Sequence, residues 1–472
     1  MAPHNPMLIR NASLLDGAAI DVRLSGSRIS ELGRLQALAR EPVIDASGSC
    51  LLPGLHDHHI HLRATSAALD SIRCGPPEVH SAEELQELLA TAATRNATGW
   101  IRGMGYHPSV AGEINRDWLD RVVPTTPVRI QHRSGRLWIL NSAAIDLLKQ
   151  RARSLVPNSL STIDSAEDGR FLDTDTLFAD VLGHRALPIA AISRQLASYG
   201  VTGITDMNPG NGPDDLSAMF GWQRSGDLLQ RVSLAGKASL SGLASKSMIS
   251  ISSLKVHLHD HDLPELDALS QAIREAHKLD RPVAVHCVTD LALIFTVAAF
   301  ESAGTIPGDR IEHASVTPDE MFEPLRRLGL IVVTQPHFIH ERGRTYLQDI
   351  PVAEHHLLYR CRSFLNAGVA LAGGSDAPFG APDPWAAMRA AVNRATSDGT
   401  IIGPDECLTP EEALALFTGR AERPDLPRNI TVGELADLCL LDQPWSVVRK
   451  DLDARHVRMT IIDGKPINGF HQ

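Results

Sequence analysis

The chain of 472 residues has only six cysteines (Cys50, Cys74, Cys287, Cys361, Cys407, Cys439), and none forms a Cys-x-x-Cys pair. They read as reduced, mostly buried thiols. No run of Lys or Arg is long enough to track a phosphate backbone, and the net charge is −11, which argues against a nucleic-acid partner. No apolar stretch reaches membrane-spanning length, and the opening MAPHNPMLIRNASLLDG lacks the apolar core of a signal peptide. The expectation is a cytoplasmic protein that does not enter a membrane. NPGNGPDD (208–215) lacks the Lys-Ser/Thr that follows a phosphate cradle and reads as a surface loop. There is no internal repeat.

What is present suits a folded enzyme. Hydrophobic residues make up 43% and charged residues 21%, enough for a sizeable core and too apolar for a disordered chain. The length suggests two or three domains, or one large α/β barrel with an accessory domain. The 21 histidines are the oddity, and they make a metal worth seeking.

The first fifty residues and the last forty both contain short strand-like runs separated by Gly, Asp and Ser turns. Together they predict one small β-sandwich domain built from both termini, residues 1–52 plus 426–472. The middle, 53–425, alternates apolar strand-like runs with helical patterns, the signature of a parallel sheet with crossover helices. The runs are LLPGLHDHHIHL, GVTGITDM, RVSLAGKAS, ISSLKVHL, RPVAVHC, DRIEHAS, LIVVTQP and GVALAGGSD. Eight such strands predict a (β/α)8 TIM barrel. Lys255 to His286 spans 31 residues and His286 to His313 spans 27, each about one strand–helix unit. The helical TPDEMFEPLRRLG is expected to open with a Thr317 cap. Residues 63–187 are an excursion after the first strand, on the face where such barrels place their sites, and are expected to form a cap over it.

His59 and His61, two apart on a strand, point to the same side and can share one ion. Alone, such a pair also arises in His-rich loops. His286 and His313 each close an apolar strand, in line with that pair. Asp376 follows a Gly-Gly turn at the end of the eighth strand, where it is either a helix cap or a carboxylate held near a cation. Lys255 lies in an apolar strand end, where burial drives a lysine towards the neutral amine. Such an amine can take up CO₂ to form a carbamate. The plainer alternative is an ion pair with Asp206 or Asp376. His257 and His259 read as ordinary strand-end histidines.

In this order the residues resemble the metal-dependent amidohydrolase superfamily, and more closely amidohydrolase family 3, which includes N-substituted formamide deformylase. Similar motifs run in sequence: LLPGLHDHHIHL, WIRGMG, SGRLWILNSAAI, VAVHCVTD, RIEHAS, GGSDAP, LTPEEALALFT and VGELADLCLLD. Two departures stand out. Gly135-Arg136 occupies the place of the family's usual Gly-His, and His259-Asp260 that of its Asp-Gly. The resemblance implies that His59, His61, Lys255, His286, His313 and Asp376 hold one or two divalent ions, zinc first among them, with Lys255 N6-carboxylated as the bridge. It further implies that a metal-activated water cleaves an amide, formamide, carbamate or cyclic amide, with Asp376 handling the protons. Trp100, Arg136, His337 and Arg342 are candidate substrate contacts, and the expected partner is a small molecule; the oligomeric state is open, with a homodimer as the prior from symmetry statistics alone.

Three rivals are weighed against that reading. A single-metal deaminase of a nucleobase-like heterocycle usually carries a Glu three residues after the fifth-strand histidine, where this chain has Thr289. A non-catalytic scaffold relative predicts missing ligands, whereas all six positions are filled. A phosphotriester or lactone hydrolase shares the metals but usually lacks the flanking β domain.

Overall fold

The computed structural model describes residues 6–76, 78–95, 99–182, 187–246 and 248–467. The chain divides into two compact units, Met1–Leu62 with Ile189–Gln472, and Arg63–Pro188. In the first unit a single sheet of eight parallel strands carries the site. In chain order these are Leu55–Ile60, Val201–Asp206, Arg231–Gly236, Ile249–His257, Val283–Cys287, Arg310–His313, Ile331–Thr334 and Ala370–Gly373, the eight runs expected from the sequence. The first, second, sixth and seventh are buried at every residue, as strands covered on both faces must be. The ring is drawn shut beyond the eighth strand: the Asp376 amide donates to the His59 carbonyl (2.7 Å) and the His61 amide to that of Ala377 (2.9 Å). The fold is thus a (β/α)8 barrel.

Glycine lets the two ends meet. A Cβ on Gly374 would stand 2.5 Å from the His59 Cβ and 2.6 Å from its amide nitrogen. Crossover helices cover the outside of the strands, among them Leu266–His277 and Asp290–Ala303, the latter capped by the Thr289 side chain. Two local expectations are corrected. Thr317 caps nothing: its hydroxyl donates to the Ala314 carbonyl, and the helix Phe322–Leu328 is entered through a 3-10 turn, Asp319–Met321. Asn211, in the supposed surface loop, is buried and bonds Asp206 and the Ala235 carbonyl, so that loop is pinned to the barrel.

Both termini supply the β layers. One four-stranded sheet contains Met7–Ser13, Ala19–Ser25, Arg28–Gly33 and Val43–Asp45; the other contains Leu51–Pro53, Leu438–Leu441, Val457–Ile462 and Lys465–Ile467. Ile9, Val22, Leu24, Ile29, Leu438, Leu440 and Ile461 form the shared core. Arg231, at the start of the third barrel strand, ties the barrel to this layer through Asp437 (2.5 Å) and Asp463 (2.8 Å).

The second unit is built around a five-stranded mixed sheet whose strands include Ile101–Tyr106, Val128–His132 and Leu137–Leu140, with helices Ala82–Arg95 and Ser142–Leu155. All six cysteines of the chain are free, five of them buried. No helix among the described residues is long and apolar enough to cross a membrane.

Candidate metal centre

The barrel delivers its polar side chains to one end of the strands. His59, on the first strand, and His61, just past it, face Asp376 beyond the eighth; their candidate ligand atoms all lie within 4.8 Å of one another. The Nε2 atoms of His61 and His59 stand 3.1 and 3.3 Å from the same Asp376 oxygen, Oδ1. Two ligands about 2.0 Å from a tetrahedral zinc are separated by roughly 3.3 Å, so these atoms have the spacing of one ion's ligands.

The hydrogen bonds of His59 sharpen that fit. Its Nδ1 is 2.5 Å from Glu312 Oε2, and both side chains are fully buried. Burial holds the His59 imidazole down at about 3 despite the nearby Glu312 and Asp376 carboxylates, so it is neutral and has one N–H to give. Burial would raise the Glu312 carboxyl, but Arg310, His59 and Lys255 outweigh it, and the group stays ionised. An ionised carboxylate only accepts, so Nδ1 carries the hydrogen and Nε2 presents a lone pair to Asp376. Asp376 is also ionised: burial opposes this, but the His61 hydrogen bond and the fields of His59, His313 and His61 hold its carboxyl well below the usual range. A lone pair facing a carboxylate oxygen at 3.3 Å is repulsive unless a cation sits between them. The donor set fits a divalent ion.

His313 shows the same arrangement. Its Nδ1 is 2.8 Å from Gln335 Oε1, an acceptor just past the seventh strand, which leaves the lone pair on Nε2. Its ring meets that of His59 at 4.8 Å and that of His286 at 4.5 Å. Burial lowers both His286 and His313, keeping them neutral and able to ligate. Lys255 is buried on the fourth strand, and among the described residues its Nζ has no hydrogen-bond partner and no carboxylate at ion-pair distance. The ion pair with Asp206 or Asp376 is therefore absent; Asp206 instead receives the Leu62 amide and the Asn211 side chain. Burial brings the Lys255 amine down to about 8, against the pull of Glu312.

The other candidates are occupied. His337 is buried, its Nε2 3.0 Å from the Ser375 carbonyl, beside the turn that carries Asp376. Arg342 lies 3.6 Å over the Phe338 ring and donates to the Phe379 carbonyl (2.6 Å), and Phe379 meets His61 edge-on. Trp100 and Arg136 belong to the second unit. There Trp100 stacks with the Arg129 guanidinium, and Arg136 is held by both oxygens of Asp173.

Two residues escape the sequence reading. Glu312 and Gln335 each hold a histidine; His257, at the end of its strand as expected, also stacks on His286 at 4.1 Å. The Lys-x-His spacing was a signal for His257, since Lys255 and His257 share a strand face. Strand alternation hides Glu312, because a regular strand sends neighbours to opposite faces. His313 breaks the rule at φ +75°, and both it and Glu312 reach His59. Asp376 likewise adopts φ +51°. Such left-handed backbone is costly for these residues and is a common mark of working sites.

Residues 42–468 match the model of the amidohydrolase family. An N-substituted formamide deformylase of Arthrobacter pascens is 25% identical over 97% of this chain and 96% of its own length. Two solved structures share the fold. One is an uncharacterized metal-dependent hydrolase of Pyrococcus horikoshii (TM-score 0.75, 21% identity, 95% of this chain and 100% of that one). The other is an uncharacterized metal-dependent hydrolase of Pyrococcus furiosus (TM-score 0.69, 23% identity, 93% and 99%). With this match over most of its length and a donor set that fits a divalent ion, the chain belongs to the amidohydrolase family and is a metal-dependent hydrolase of carbon–nitrogen bonds in small molecules.

Proposed function

We propose that His59, His61 and Asp376 hold one divalent ion, zinc in the first instance, that His286 and His313 face a second, and that Lys255 bridges them as its N6-carbamate. The observation that carries this reading is the buried Lys255 amine: among the described residues it has no hydrogen-bond partner, and burial moves it towards the neutral form that adds CO₂. Addition of CO₂ to the amine, with loss of one proton, turns an unpaired donor into an anionic ligand. The rings of His286 and His313, 4.5 Å apart and both neutral, support a second position beside the first.

A divalent ion bound there supplies acidification of a water to near-neutral pKa and polarisation of a carbonyl. The chain's residues do the rest. Asp376, held ionised, takes the proton of the attacking water and returns it to the departing nitrogen, so the amine leaves neutral. The full-length likeness to a formamide deformylase supports an N-substituted formamide or a related small amide as substrate. Arg342 and His337, which are bonded to the Phe379 and Ser375 carbonyls, are assigned to shaping the side of the site that receives it. Thr289 supports hydrolysis over deamination: it caps the helix after the fifth strand and bonds Asp260, and it offers no carboxylate.

The test is metal per chain by plasma mass spectrometry, with formate release from a panel of N-substituted formamides. Two equivalents falling to one or fewer in Lys255→Ala are expected. One equivalent, unchanged in that variant, would refute the bridge. Asp376→Asn should lose at least about a thousandfold in kcat.

A further inference from the structure

Arg310, Glu312 and His59 form a continuous buried chain. Arg310 Nε is 2.5 Å from Glu312 Oε1, and Glu312 Oε2 is 2.5 Å from His59 Nδ1. Arg310 is anchored beyond this, with Nη2 3.0 Å from the His58 carbonyl and 2.9 Å from Met207 Sδ. Arg310 and Glu312 come from the sixth strand and His59 from the first, so the chain spans the barrel interior.

We propose that Glu312 is a positioning residue for the metal centre: it fixes His59 in the Nδ1–H form, and Arg310 makes that choice irreversible. The inference rests on the reading of His59 as a ligand. A neutral imidazole has two tautomers, and only one leaves Nε2 free towards Asp376 and His61. Glu312 accepts on both sides and so demands a hydrogen from each neighbour. Arg310 has nothing but hydrogens to offer. The arrangement is therefore satisfied in one way only, with the His59 hydrogen on Nδ1.

The same logic yields an asymmetric prediction for Gln, which has nearly the shape of Glu but one acceptor and one donor. In Glu312→Gln the amide oxygen must turn to Arg310, because an amide NH₂ against a guanidinium leaves two donors face to face. The NH₂ then meets His59 Nδ1, which must accept, and the hydrogen moves to Nε2. The ring stays in place but loses its free lone pair at the ligand position. Adding Arg310→Met removes the competing donor, lets the amide turn over, and restores the Nδ1–H form. A role confined to packing predicts the reverse order, since the double variant discards one more buried contact.

The experiment measures Zn²⁺ affinity by chelator competition on the full chain, in wild type, Glu312→Gln and Glu312→Gln/Arg310→Met. Thermal melts of the chelator-treated proteins report folding. Glu312→Gln should bind Zn²⁺ about 10–100-fold more weakly, and the double variant should recover most of that loss. Wild-type affinity in Glu312→Gln, or a folded double variant no tighter than the single one, would overturn the proposal. Should Glu312→Gln not fold, the ¹⁵N shifts of His59 in wild-type protein decide, assigned by their loss in His59→Asn. A hydrogen on Nδ1 is expected, and one on Nε2 overturns it. Wild-type protein that takes up no Zn²⁺ would overturn the site reading as well, which separates the two failures.

Discussion

Replacing Lys255 by Met should stabilise the metal-free protein and weaken the metal-loaded one. Among the described residues the buried ammonium has no hydrogen-bond partner, and burial brings its pKa from the ordinary 10.5 down to about 8. A displacement of that size corresponds to roughly 3 kcal/mol, the free energy by which folding disfavours the charged amine. Because the folded state gives up the proton more readily than the unfolded one, stability rises with pH between the two values. The cost is in full force below pH 8 and gone above about 10.5. Methionine keeps the length of the lysine stem without the charge. After chelation, Lys255→Met should therefore melt about 4 °C above wild type at pH 7, given the unfolding entropy of a cooperative unit this large. The gap should shrink to under about 1 kcal/mol by pH 10. With saturating Zn²⁺ the order reverses, since a ligand at a thousand times its Kd contributes about 4 kcal/mol to the wild type alone. Paired calorimetric scans across this pH range, with and without metal, make the comparison. A chelated variant no more stable than wild type at pH 7, or a gap that stays constant to pH 10, would show that the Lys255 ammonium is not held at a cost.

Two further outcomes follow from close contacts. Gly374→Ala drives a methyl against His59, at 2.5 Å from its Cβ, and should cost about 1–3 kcal/mol and reduce metal occupancy, read from urea midpoints and metal per chain. Arg231→Met leaves Asp437, which is buried, without its cation, and should cost about 3–5 kcal/mol by denaturant titration; an unchanged midpoint would show that the barrel and the β layers do not depend on this ion pair.

The eight barrel strands were legible because a strand covered on both faces must be apolar along its length, and each run here is bounded by Gly, Asp or Pro turns. The grouping of His59, His61 and Asp376 was legible because strand ends in a barrel converge, so residues far apart in the chain share one mouth once the strands are counted. Thr317 was misread because the rule for a helix start sees only the local pattern. The structure turns that hydroxyl to the Ala314 carbonyl, beside the left-handed backbone of His313 and Ala314. The burial of Asn211 within its loop escaped for the same reason. Its composition says loop, and its two buried bonds to Asp206 and Ala235 come from strands the local pattern does not reach.

The sequence by itself determined the barrel, the family and the convergence of His59, His61 and Asp376, because strand period and motif order are properties of the chain alone. Only the tertiary structure decided how those residues are used. That Lys255 Nζ finds no hydrogen-bond partner among the described residues, that Glu312 and Gln335 lie against the Nδ1 atoms of His59 and His313, and that His257 lies against His286 are facts of distance between different strands. Protonation and tautomer follow from burial and from the neighbour across the barrel, and neither is written in the order of the residues.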